Sequence, residues 1–312
     1  MEKKEFDYIV IGGGTAGLSS ALYAARGGLR AVVLEGPEPG GQALQINGLE
    51  NYPGIFPPVS GYDFIAGLKR QCAEFGAEFS RDRALSIDRP GNEFTVTSDS
   101  GIYSAPAVLV ATGASHRKLG VPGEAEFTGR GVSYCAVCDG PFFRNRRIVV
   151  AGGGDSAVSE ALYLSSLSDD VTVVHRRGEF RAQKSLIARM EAAGIRTVTG
   201  ARITEIRGKE GRVDAVVLKD SVSGRESVLG TDAVFVFIGM EPRTSLVDNL
   251  AKDPAGYILA GEGMSTSVPG LFAAGDVRSK ALRQVVTAAS DGAAAAFSAM
   301  EYVRKFRTGE PR

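Results

Sequence analysis

The chain carries one pattern of residues twice. An apolar run, a cluster of glycines, an Ala/Leu/Ser-rich segment and a second Val-rich run follow one another in residues 8–35 and again in residues 147–175. From the first glycine of the cluster to the end of the second run is 23 positions in both copies, since 35 − 12 and 175 − 152 are equal. Each copy predicts a strand, a tight turn, a helix and a second strand. We therefore expect an α/β protein with two Rossmann-like dinucleotide-binding domains.

Both copies are followed by a further apolar run that ends in a turn of small residues. These runs are VLVATGA, which ends near Gly113, and VFVFIGM, which ends near Gly239. The copies begin 140 positions apart (152 − 12), a period far too long for a solenoid. The pattern therefore indicates a duplicated domain, and 312 residues are enough for two domains with separate cores.

The first glycine cluster is a G-x-G-x-x-G motif, Gly12-Gly13-Gly14-Thr15-Ala16-Gly17, with Glu35 at the end of the second strand. In such a motif the first glycine permits a tight turn and the second lets backbone approach a pyrophosphate at the helix N-terminus. The third lets the helix pack closely on the strand. The acidic residue accepts hydrogen bonds from a ribose hydroxyl. A glycine-rich turn without a ligand is the alternative, but strand, helix and acid in register favour dinucleotide binding.

The second cluster has alanine in the last position of the motif, Gly152-Gly153-Gly154-Asp155-Ser156-Ala157. Basic residues replace the acid at the end of its second strand, namely His175, Arg176 and Arg177, followed by Arg181. Guanidinium groups bind a 2′-phosphate through bidentate hydrogen bonds, whereas a carboxylate would repel it. A solvated basic turn is the alternative. The place of these residues in the motif favours a nucleotide with a 2′-phosphate here and a different nucleotide at the first cluster.

A C-x-x-C pair, Cys135 and Cys138, lies between the two copies. Three interpretations are open: a structural zinc site, two inert buried thiols, or a redox-active dithiol. A zinc site needs four ligands and the sequence has no second cysteine pair, so we expect no metal. Two thiols at this spacing can close a small ring, and thiol–disulfide exchange is then their natural chemistry. The third cysteine, Cys72, is expected to be a core residue of an amphipathic helix.

The composition argues against several classes of function. There are 36 basic and 36 acidic side chains, so the formal net charge is zero and nothing favours nucleic-acid binding. Three cysteines and two histidines are too few for a disulfide framework or a histidine-rich metal cluster. No run of 18 uncharged apolar residues and no signal peptide is visible, so we expect no membrane span and a cytoplasmic location.

The sequence resembles the bacterial low-molecular-weight thioredoxin reductases over essentially its whole length. Seven blocks carry the resemblance: IGGGTAGLSSALYAAR, EGPEPGGQ with ENYPG, VLVATGA, SYCAVCDG, GGGDSAVSEALYLS, HRRGEFRA and LFAAGDVRSKALRQVVTAASDGAAAA. The family most often has Thr where this chain has Val137, but both cysteines and Asp139 are in place.

The resemblance implies a three-layer fold in which an NADPH-binding domain, residues 118–245, is inserted into an FAD-binding domain, residues 1–117 and 246–312. FAD and NADPH are the implied cofactors, and a homodimer is the implied assembly. The residues assigned to FAD are Gly12, Gly14, Thr15, Ala16, Gly17, Glu35, Gly36, Gly40, Gly41, Gln42, Asn51, Ala111, Thr112, Gly113, Gly275, Asp276, Arg283, Gln284 and Val285. The residues assigned to NADPH are Gly152, Gly154, Asp155, Ser156, Ala157, His175, Arg176, Arg177 and Arg181.

The resemblance also implies the reaction. A hydride passes from NADPH to FAD, two electrons then open a Cys135–Cys138 disulfide, and the dithiol reduces thioredoxin by thiol–disulfide exchange. Cys138 is the sulfur that faces the flavin, Cys135 attacks the substrate, and Asp139 is the general acid. A carboxyl group can protonate a thiolate near neutral pH only where burial favours its protonated form, so Asp139 is expected to be partly buried. An Asp-Gly turn residue is the alternative.

One rigid arrangement is not expected to bring the dithiol both to the flavin and to an external disulfide. The resemblance implies that the inserted domain rotates, and segments 119–123 and 239–244, which contain Gly and Pro, are the predicted hinges. Phe142 and Phe143, with Arg130 nearby, are candidates for docking a small partner protein. Burial of both rings in the core is the equally weighted alternative.

Other functions were weighed against thioredoxin reduction. A ferredoxin reductase of the same architecture lacks the dithiol, so the C-x-x-C pair argues against it. A small-molecule dithiol oxidase lacks the nicotinamide site, so the basic cluster argues against that. A reductase of another small disulfide carrier and a redox sensor that binds nucleotide without turnover stay open.

Overall fold

The computed structural model describes residues 3–36, 39–46, 48–49 and 51–310, without the side chains of Gln45 and Cys138. The chain divides into an outer unit, residues 1–115 and 241–312, and an inserted unit, residues 116–240. The inserted unit begins two residues before the predicted boundary (118 − 116) and ends five residues before it (245 − 240). Residues 241–245 fall in the outer unit because Ser115 Oγ donates to the Glu241 carbonyl and the Arg243 N–H donates to that of Gly113.

The strands and helices follow the apolar runs and the turns of the sequence. The strands are β1 (Lys3–Glu5), β2 (Tyr8–Ile11), β3 (Ala31–Leu34), β4 (Glu78–Ser80), β5 (Ala84–Asp88), β6 (Phe94–Ser98), β7 (Ile102–Ala105), β8 (Ala107–Val110), β9 (Ala114–His116), β10 (Val132–Ser133), β11 (Ile148–Gly152), β12 (Val171–His175), β13 (Arg196–Thr199), β14 (Ala201–Lys209), β15 (Arg212–Asp220), β16 (Glu226–Gly230), β17 (Ala233–Phe237), β18 (Met240–Pro242) and β19 (Leu271–Ala273). The helices are α1 (Thr15–Arg26), α2 (Gly61–Glu74), α3 (Glu124–Phe127), α4 (Ala136–Asp139), α5 (Asp155–Ser165), α6 (Lys184–Ala192) and α7 (Val285–Thr308).

Each unit is built on a five-stranded parallel sheet with an equivalent strand order. The order is β19-β8-β2-β3-β4 in the outer unit and β10-β17-β11-β12-β13 in the inserted unit. In both sheets the strand before the glycine cluster is central, and the apolar run that follows the copy pairs beside it, as β8 or as β17. The predicted domain duplication is therefore confirmed, including the positions of VLVATGA and VFVFIGM.

Both faces of each parallel sheet are buried, which explains why its strands are continuous apolar runs. In the outer unit Tyr8 and Val10 face the helical layer, whereas Ile9 and Ile11 face the second sheet, β1-β7-β6-β5. In the inserted unit the same alternation separates a core shared with α5 from a core shared with the antiparallel sheet β14-β15-β16. Each unit therefore has a helical layer, a parallel sheet and a second sheet, which confirms the predicted three-layer fold.

The C-terminal helix α7 packs closely against α1 in the outer unit. The sequence predicts an Ala-rich helix over residues 287–300, and the structure extends it to Val285–Thr308. The side chain of Gln284 caps its start by accepting from the backbone of Thr287, whose own side chain accepts from the Gln284 N–H. A Cβ atom at Gly292 would lie only 2.1 Å from the Ala16 carbonyl oxygen, so α1 leaves no room for a side chain there.

None of the helices in the described part of the chain is both long enough and apolar enough to span a membrane.

A methyl group at Gly292 is expected to force α7 away from α1. Overpacking of this kind costs about 1–3 kcal/mol, so Gly292→Ala should lower the urea midpoint followed by circular dichroism. Gly67→Ala is the matched control, because Gly67 lies inside α2 and no neighbouring atom lies within 4 Å of the place its methyl group would take. Alanine there favours the helix by about 0.5–1 kcal/mol, so its midpoint should not fall. Equal midpoints for the two variants would contradict the close packing of α1 and α7.

Candidate functional site

The first glycine cluster forms a turn that is closed on one side and open on the other. A Cβ at Gly12, where φ is 113°, would lie 2.4 Å from the Ala111 oxygen, and one at Gly17 would lie 1.9 Å from the Gly12 oxygen. At Gly14 the nearest atom to such a position is 3.9 Å away. Gly14 is also the N-cap of α1, and no side chain caps that helix start. Buried Thr15 and Ala16 begin the helix, so its free N–H groups lie beside an open backbone surface suited to an anion.

Glu35 lies beside this turn as predicted from the motif, and its charge is paired. It follows β3, is buried, and accepts a 2.6 Å hydrogen bond at Oε2 from Lys69 Nζ of α2. A Cβ at Gly13 would come within 2.9 Å of the Glu35 side chain. The carboxylate is therefore held against the glycine turn, where ribose hydroxyls would meet it. Lys69 was not singled out from the sequence, since a lysine in an amphipathic helix is usually a solvated residue.

The segments around residues 40 and 112 line the same turn. The Gly40 N–H donates to the Gly13 oxygen at 3.1 Å, and Gly36, Gly40 and Gly41 all have positive φ. Gln42 Nε2 donates to the Ala114 oxygen at 2.6 Å, and Thr112 Oγ1 donates to the Arg243 oxygen at 2.6 Å. The Gln42 amide and the Thr112 hydroxyl thus donate hydrogen bonds to backbone oxygens, and these bonds stabilise the local fold.

Residues at the start of α7 and in the turn after β19 have unsatisfied polar atoms. Asp276 Oδ1 is buried and accepts no hydrogen bond, although Lys280 Nζ lies 3.3 Å away as an ion pair. Arg283 Nε is buried without a partner, and its guanidinium lies 4.0 Å from the centre of the Tyr257 ring. Asn51 Nδ2 donates to Gln284 Oε1 at 3.0 Å, and Val285 begins α7. Asp276 Oδ1 has an ion pair but no hydrogen bond, and Arg283 Nε has no hydrogen bond to any described residue, so both atoms fit a polar ligand that completes their hydrogen bonding.

A buried ionic cluster that the sequence did not reveal fixes the turn containing Gly275. Asp291 of α7 accepts from the Gly275 N–H at 3.1 Å, from Arg278 Nη2 at 2.8 Å and from Lys280 Nζ at 3.1 Å. Burial raises the pKa of Asp291, but the hydrogen bonds and charges of Arg278 and Lys280 outweigh it and leave that pKa below its ordinary value. The sequence pattern that could have revealed this cluster is Asp291 itself, an acidic residue on the otherwise apolar buried face of α7.

The second glycine cluster repeats the geometry of the first. A Cβ at Gly152 would lie 2.4 Å from the Phe237 oxygen and 2.6 Å from Ala157 Cβ, whereas nothing lies within 4 Å of one at Gly154. Gly154 is the N-cap of α5 and no side chain caps this helix. Asp155 instead accepts from the backbone and side-chain nitrogens of Gln183, and Ser156 is exposed. The open backbone at Gly154 is thus again next to free helix N–H groups.

The four basic residues at and after the end of β12 separate into two environments. The His175 ring is buried, stacks on Phe180 at 5.5 Å, and would contact any Cβ at Gly153 within 2.4 Å. Burial, together with the nearby arginine charges, lowers the pKa of His175. Arg176, Arg177 and Arg181 are exposed, and the Arg181 N–H donates to the Gly153 oxygen at 2.7 Å. The uncharged His175 ring therefore packs against the glycine turn, and the three exposed arginines provide the positive charge of this segment.

The C-x-x-C segment follows the edge strand β10. Cys135 is half-buried and disulfide-bonded, and Cys72 is a free buried thiol. Cys138 lies in the single-turn helix α4, and its side chain lies outside the described residues. Asp139 is half-buried, its Oδ2 accepts from Ser133 Oγ at 2.6 Å, and its N–H donates to the Cys135 oxygen at 3.2 Å. In the part of the chain that the structure describes, no group of three or more metal-ligating side chains comes together.

The two phenylalanines after this segment have different environments, although the sequence predicts one common role for both. The Phe142 side chain is 80% exposed. Phe143 packs against the core of the inserted unit, with its ring edge-on to Phe235 at 6.0 Å. Arg130 is exposed. Phe142 and Arg130 are thus surface residues, and Phe143 is a core residue.

The predicted hinge segment 119–123 is held by a residue that the sequence did not reveal. Glu124 is buried and accepts from the N–H groups of Leu119 and Gly120 at 2.8 and 2.7 Å. It also accepts at 2.8 Å from the Tyr134 hydroxyl, next to Cys135 in the chain. A buried carboxylate with three donors stabilises the local conformation of this segment. The second predicted hinge, 239–244, contains β18, which pairs with β9.

Two open glycine turns at helix starts and a disulfide-bonded cysteine are typical of enzymes that move electrons between nucleotides and disulfides. Residues 6–292 match the family described as pyridine nucleotide-disulphide oxidoreductase, and the chain belongs to that family. It is 49% identical over 300 residues to the thioredoxin reductase of Treponema pallidum, covering 96% of this chain and 97% of that protein. It is 44% identical over 310 residues to that of Bacillus subtilis, covering 98% and 97%.

Solved structures agree with these relatives. The crystal structure of Lactococcus lactis thioredoxin reductase in the FR conformation superposes with a TM-score of 0.83 at 38% identity, over 96% of this chain and 99% of that chain. Thioredoxin reductase from T. acidophilum gives 0.81 at 33% identity, over 97% and 99%. The expected resemblance to the low-molecular-weight thioredoxin reductases is therefore confirmed.

Cys72 is expected to resist alkylation in the folded protein. Its thiol is fully buried and donates to the Leu18 oxygen, and burial raises the pKa of Cys72 to about 12. Because the thiolate is the reactive form, iodoacetamide at pH 8 should label the 135–138 peptide of the reduced protein and leave Cys72 unlabelled. The same sample in guanidinium chloride should label Cys72 as well, and peptide mass spectrometry distinguishes the sites. Equal labelling rates in the native protein would contradict this placement.

Proposed function

We propose that this chain is an NADPH-dependent thioredoxin-disulfide reductase that uses FAD. The observation that carries the proposal is the redox segment, in which a disulfide-bonded Cys135 and a half-buried Asp139 are joined by hydrogen bonds at the end of β10. That segment lies at the carboxyl edge of a sheet whose next-but-one strand, β11, ends in the second glycine turn. Similarity to thioredoxin reductases over nearly the whole chain supports the same function.

The outer unit is proposed to hold FAD. Its N-terminal α1 N–H groups and the open backbone at Gly14 suit the pyrophosphate, and Glu35 suits a ribose. Asp276 Oδ1 and Arg283 Nε, both buried and without a hydrogen bond to any described residue, would gain hydrogen bonds from the ligand. When bound, FAD accepts a hydride from NADPH and passes two electrons to a disulfide. The residues of this chain supply binding and orientation for that transfer.

The inserted unit is proposed to hold NADPH. Gly154 and the uncapped start of α5 suit its pyrophosphate in the same way. Arg176, Arg177 and Arg181 are exposed beside the end of β12, where the 2′-phosphate would bind. The Arg181 backbone is bonded to Gly153, so the arginine segment and the glycine turn are held together.

The cysteines are proposed to reduce the substrate by thiol–disulfide exchange. Cys135 attacks one sulfur of the thioredoxin disulfide, and Asp139 protonates the sulfur that leaves. The role of Cys138, to close the disulfide again, comes from the family resemblance. We assign the reaction to the reducing cytoplasm and to a homodimer on the same resemblance.

Steady-state NADPH oxidation by the purified yellow protein tests the proposal. Consumption of NADPH should depend on added oxidised thioredoxin and should be abolished in Cys135→Ser and Cys138→Ser. Other small disulfide proteins, offered at equal concentration, should be reduced more slowly. NADPH binding without any turnover would instead favour the redox sensor, and preference for a different disulfide protein would favour another carrier.

Removal of the arginine charges is expected to weaken NADPH selectively. The triple variant Arg176→Ala, Arg177→Ala, Arg181→Ala should raise the KM for NADPH by about 10–100-fold, the magnitude of lost charged hydrogen bonds. The KM for NADH should change little, because NADH lacks the 2′-phosphate. Arg202→Ala, an exposed arginine of β14 in the same unit, is the control and should change neither constant. Equal losses for both nucleotides would argue against 2′-phosphate recognition.

The two phenylalanines are expected to respond differently to truncation. Phe142→Ala should raise the KM for thioredoxin by about fivefold or more at an unchanged melting temperature, since an exposed aromatic ring is a typical interface anchor. Phe143→Ala should instead destabilise the folded protein by about 2 kcal/mol, because it removes a ring packed on Phe235. Steady-state kinetics and thermal unfolding of both variants provide the comparison. An unchanged thioredoxin KM in Phe142→Ala would remove the docking role.

A further inference from the structure

Ser133, the last residue of β10, joins the acid of the redox segment to its first cysteine. Its Oγ lies 2.6 Å from Asp139 Oδ2, 3.1 Å from the Cys135 backbone nitrogen and 3.3 Å from the Cys135 backbone oxygen. The residue is only 4% exposed. Little water can therefore replace it, and three polar groups of the segment converge on one hydroxyl.

A hydroxyl has one proton to donate and two lone pairs to accept with, and this count decides what Ser133 can do. The Cys135 N–H occupies one lone pair. When Asp139 is ionised, the Ser133 proton points to Oδ2. When Asp139 is protonated, its O–H can donate to the second lone pair, and the Ser133 proton rotates to the Cys135 oxygen. Both forms of the acid thus keep their hydrogen bond through rotation of a hydroxyl alone.

We propose that Ser133 is a positioning residue that holds the Asp139 carboxyl group next to the Cys135 backbone in both of its protonation states. The inference rests on the proposed function, since an acid that gives up and regains a proton in every turnover needs a partner for each form. A backbone N–H could donate to either form but could not accept the proton of the acid, and a carbonyl oxygen could accept that proton but could not donate to the carboxylate. Ser133 does both, and through the Cys135 N–H it also fixes the cysteine relative to the acid.

Asp139 is proposed to donate and regain one proton during thiol–disulfide exchange between the enzyme dithiol and the substrate disulfide. The Cys135 thiolate attacks one substrate sulfur, which forms the enzyme–substrate disulfide and breaks the substrate S–S bond. The leaving thiolate takes the proton of Asp139, and the Cys138 thiol then returns a proton to the carboxylate. The Cys138 thiolate attacks Cys135, which restores the enzyme disulfide and releases the second substrate sulfur. Two electrons pass from the enzyme dithiol to the substrate, and Asp139 ends as it began.

Two disulfides with different leaving groups show whether Ser133 acts through Asp139 or only stabilises the fold. An aliphatic thiolate is a poor leaving group and leaves faster when it receives a proton, whereas a nitrobenzoate thiolate leaves readily without one. Protein reduced with dithiothreitol and desalted is mixed in single turnover with bis(2-hydroxyethyl) disulfide or with dithiobis(nitrobenzoate). Ser133→Ala should slow reaction with the first by about tenfold and with the second by less than about twofold.

Three further variants complete the test. Ser168→Ala is the matched control, because Ser168 is also 4% exposed in the inserted unit and accepts from the N–H two residues on, but donates to a backbone oxygen of Arg146. It should react like the wild type. Ser133→Thr keeps the hydroxyl and should restore the aliphatic rate. On an Asp139→Asn background, Ser133→Ala should add no further loss, because the two residues act as one unit.

The results that would overturn the inference are equal slowing with both disulfides, no slowing with either, or an undiminished Ser133→Ala effect in the Asp139→Asn background. Where Ser133→Thr does not fold, the two disulfides and the double variant still decide. The single-turnover measurement needs neither thioredoxin nor NADPH. A wild-type protein that fails to reduce thioredoxin would therefore refute the proposed function without deciding the role of Ser133.

Discussion

Both units depend on the close contact between the first and last positions of a glycine motif. In the outer unit the Gly12 oxygen lies where a Gly17 side chain would begin, and in the inserted unit the Ala157 Cβ lies 2.6 Å from the place where a Gly152 side chain would begin. This contact presses the helix onto the central strand and leaves the helix start uncapped beside open backbone at Gly14 and Gly154. Glu35 follows the neighbouring strand β3, and the three arginines follow the equivalent strand β12. The same type of packing thus places an open helix start and a charged segment next to each other in both units.

The sequence was sufficient for the features that recur along the chain. The duplication, the apolar strand that follows each copy and the burial of Cys72 all follow from apolar periodicity and fixed spacing. The domain boundary was less accurate, because residues 241–245 pair with backbone of the outer unit and the turn residues Gly239 and Pro242 lie on both sides of the change. Phe142 and Phe143 show the same difficulty, since adjacent identical residues give no signal of which ring the core accepts.

The polar partners of the site were the least accessible to sequence reasoning. Lys69, Glu124 and Asp291 each come from an element distant in sequence from the residues they hold, or from a loop contact that no motif marks. Their importance arises from burial, which makes a carboxylate or ammonium group costly unless it is paired, and burial of a single polar residue is a tertiary property. His175 is the opposite case. The motif assigns it to the nucleotide, but its ring is packed between Phe180 and the glycine turn.

The edge strands β10 and β19 occupy the same place in their sheets, each outside the strand that follows the copied pattern. Their positions along the chain differ, since β10 comes before the copied pattern of its unit and β19 comes after that of its own unit. The four strands common to both units therefore carry the glycine turn and its neighbours, and the fifth strand comes from a different end of the copied pattern in each unit. In one unit the fifth strand leads into the Gly275–Asp276 turn, and in the other it leads to Cys135. The disulfide-bonded cysteine thus follows an edge strand, two strands away from the one that leads into the glycine turn of its unit.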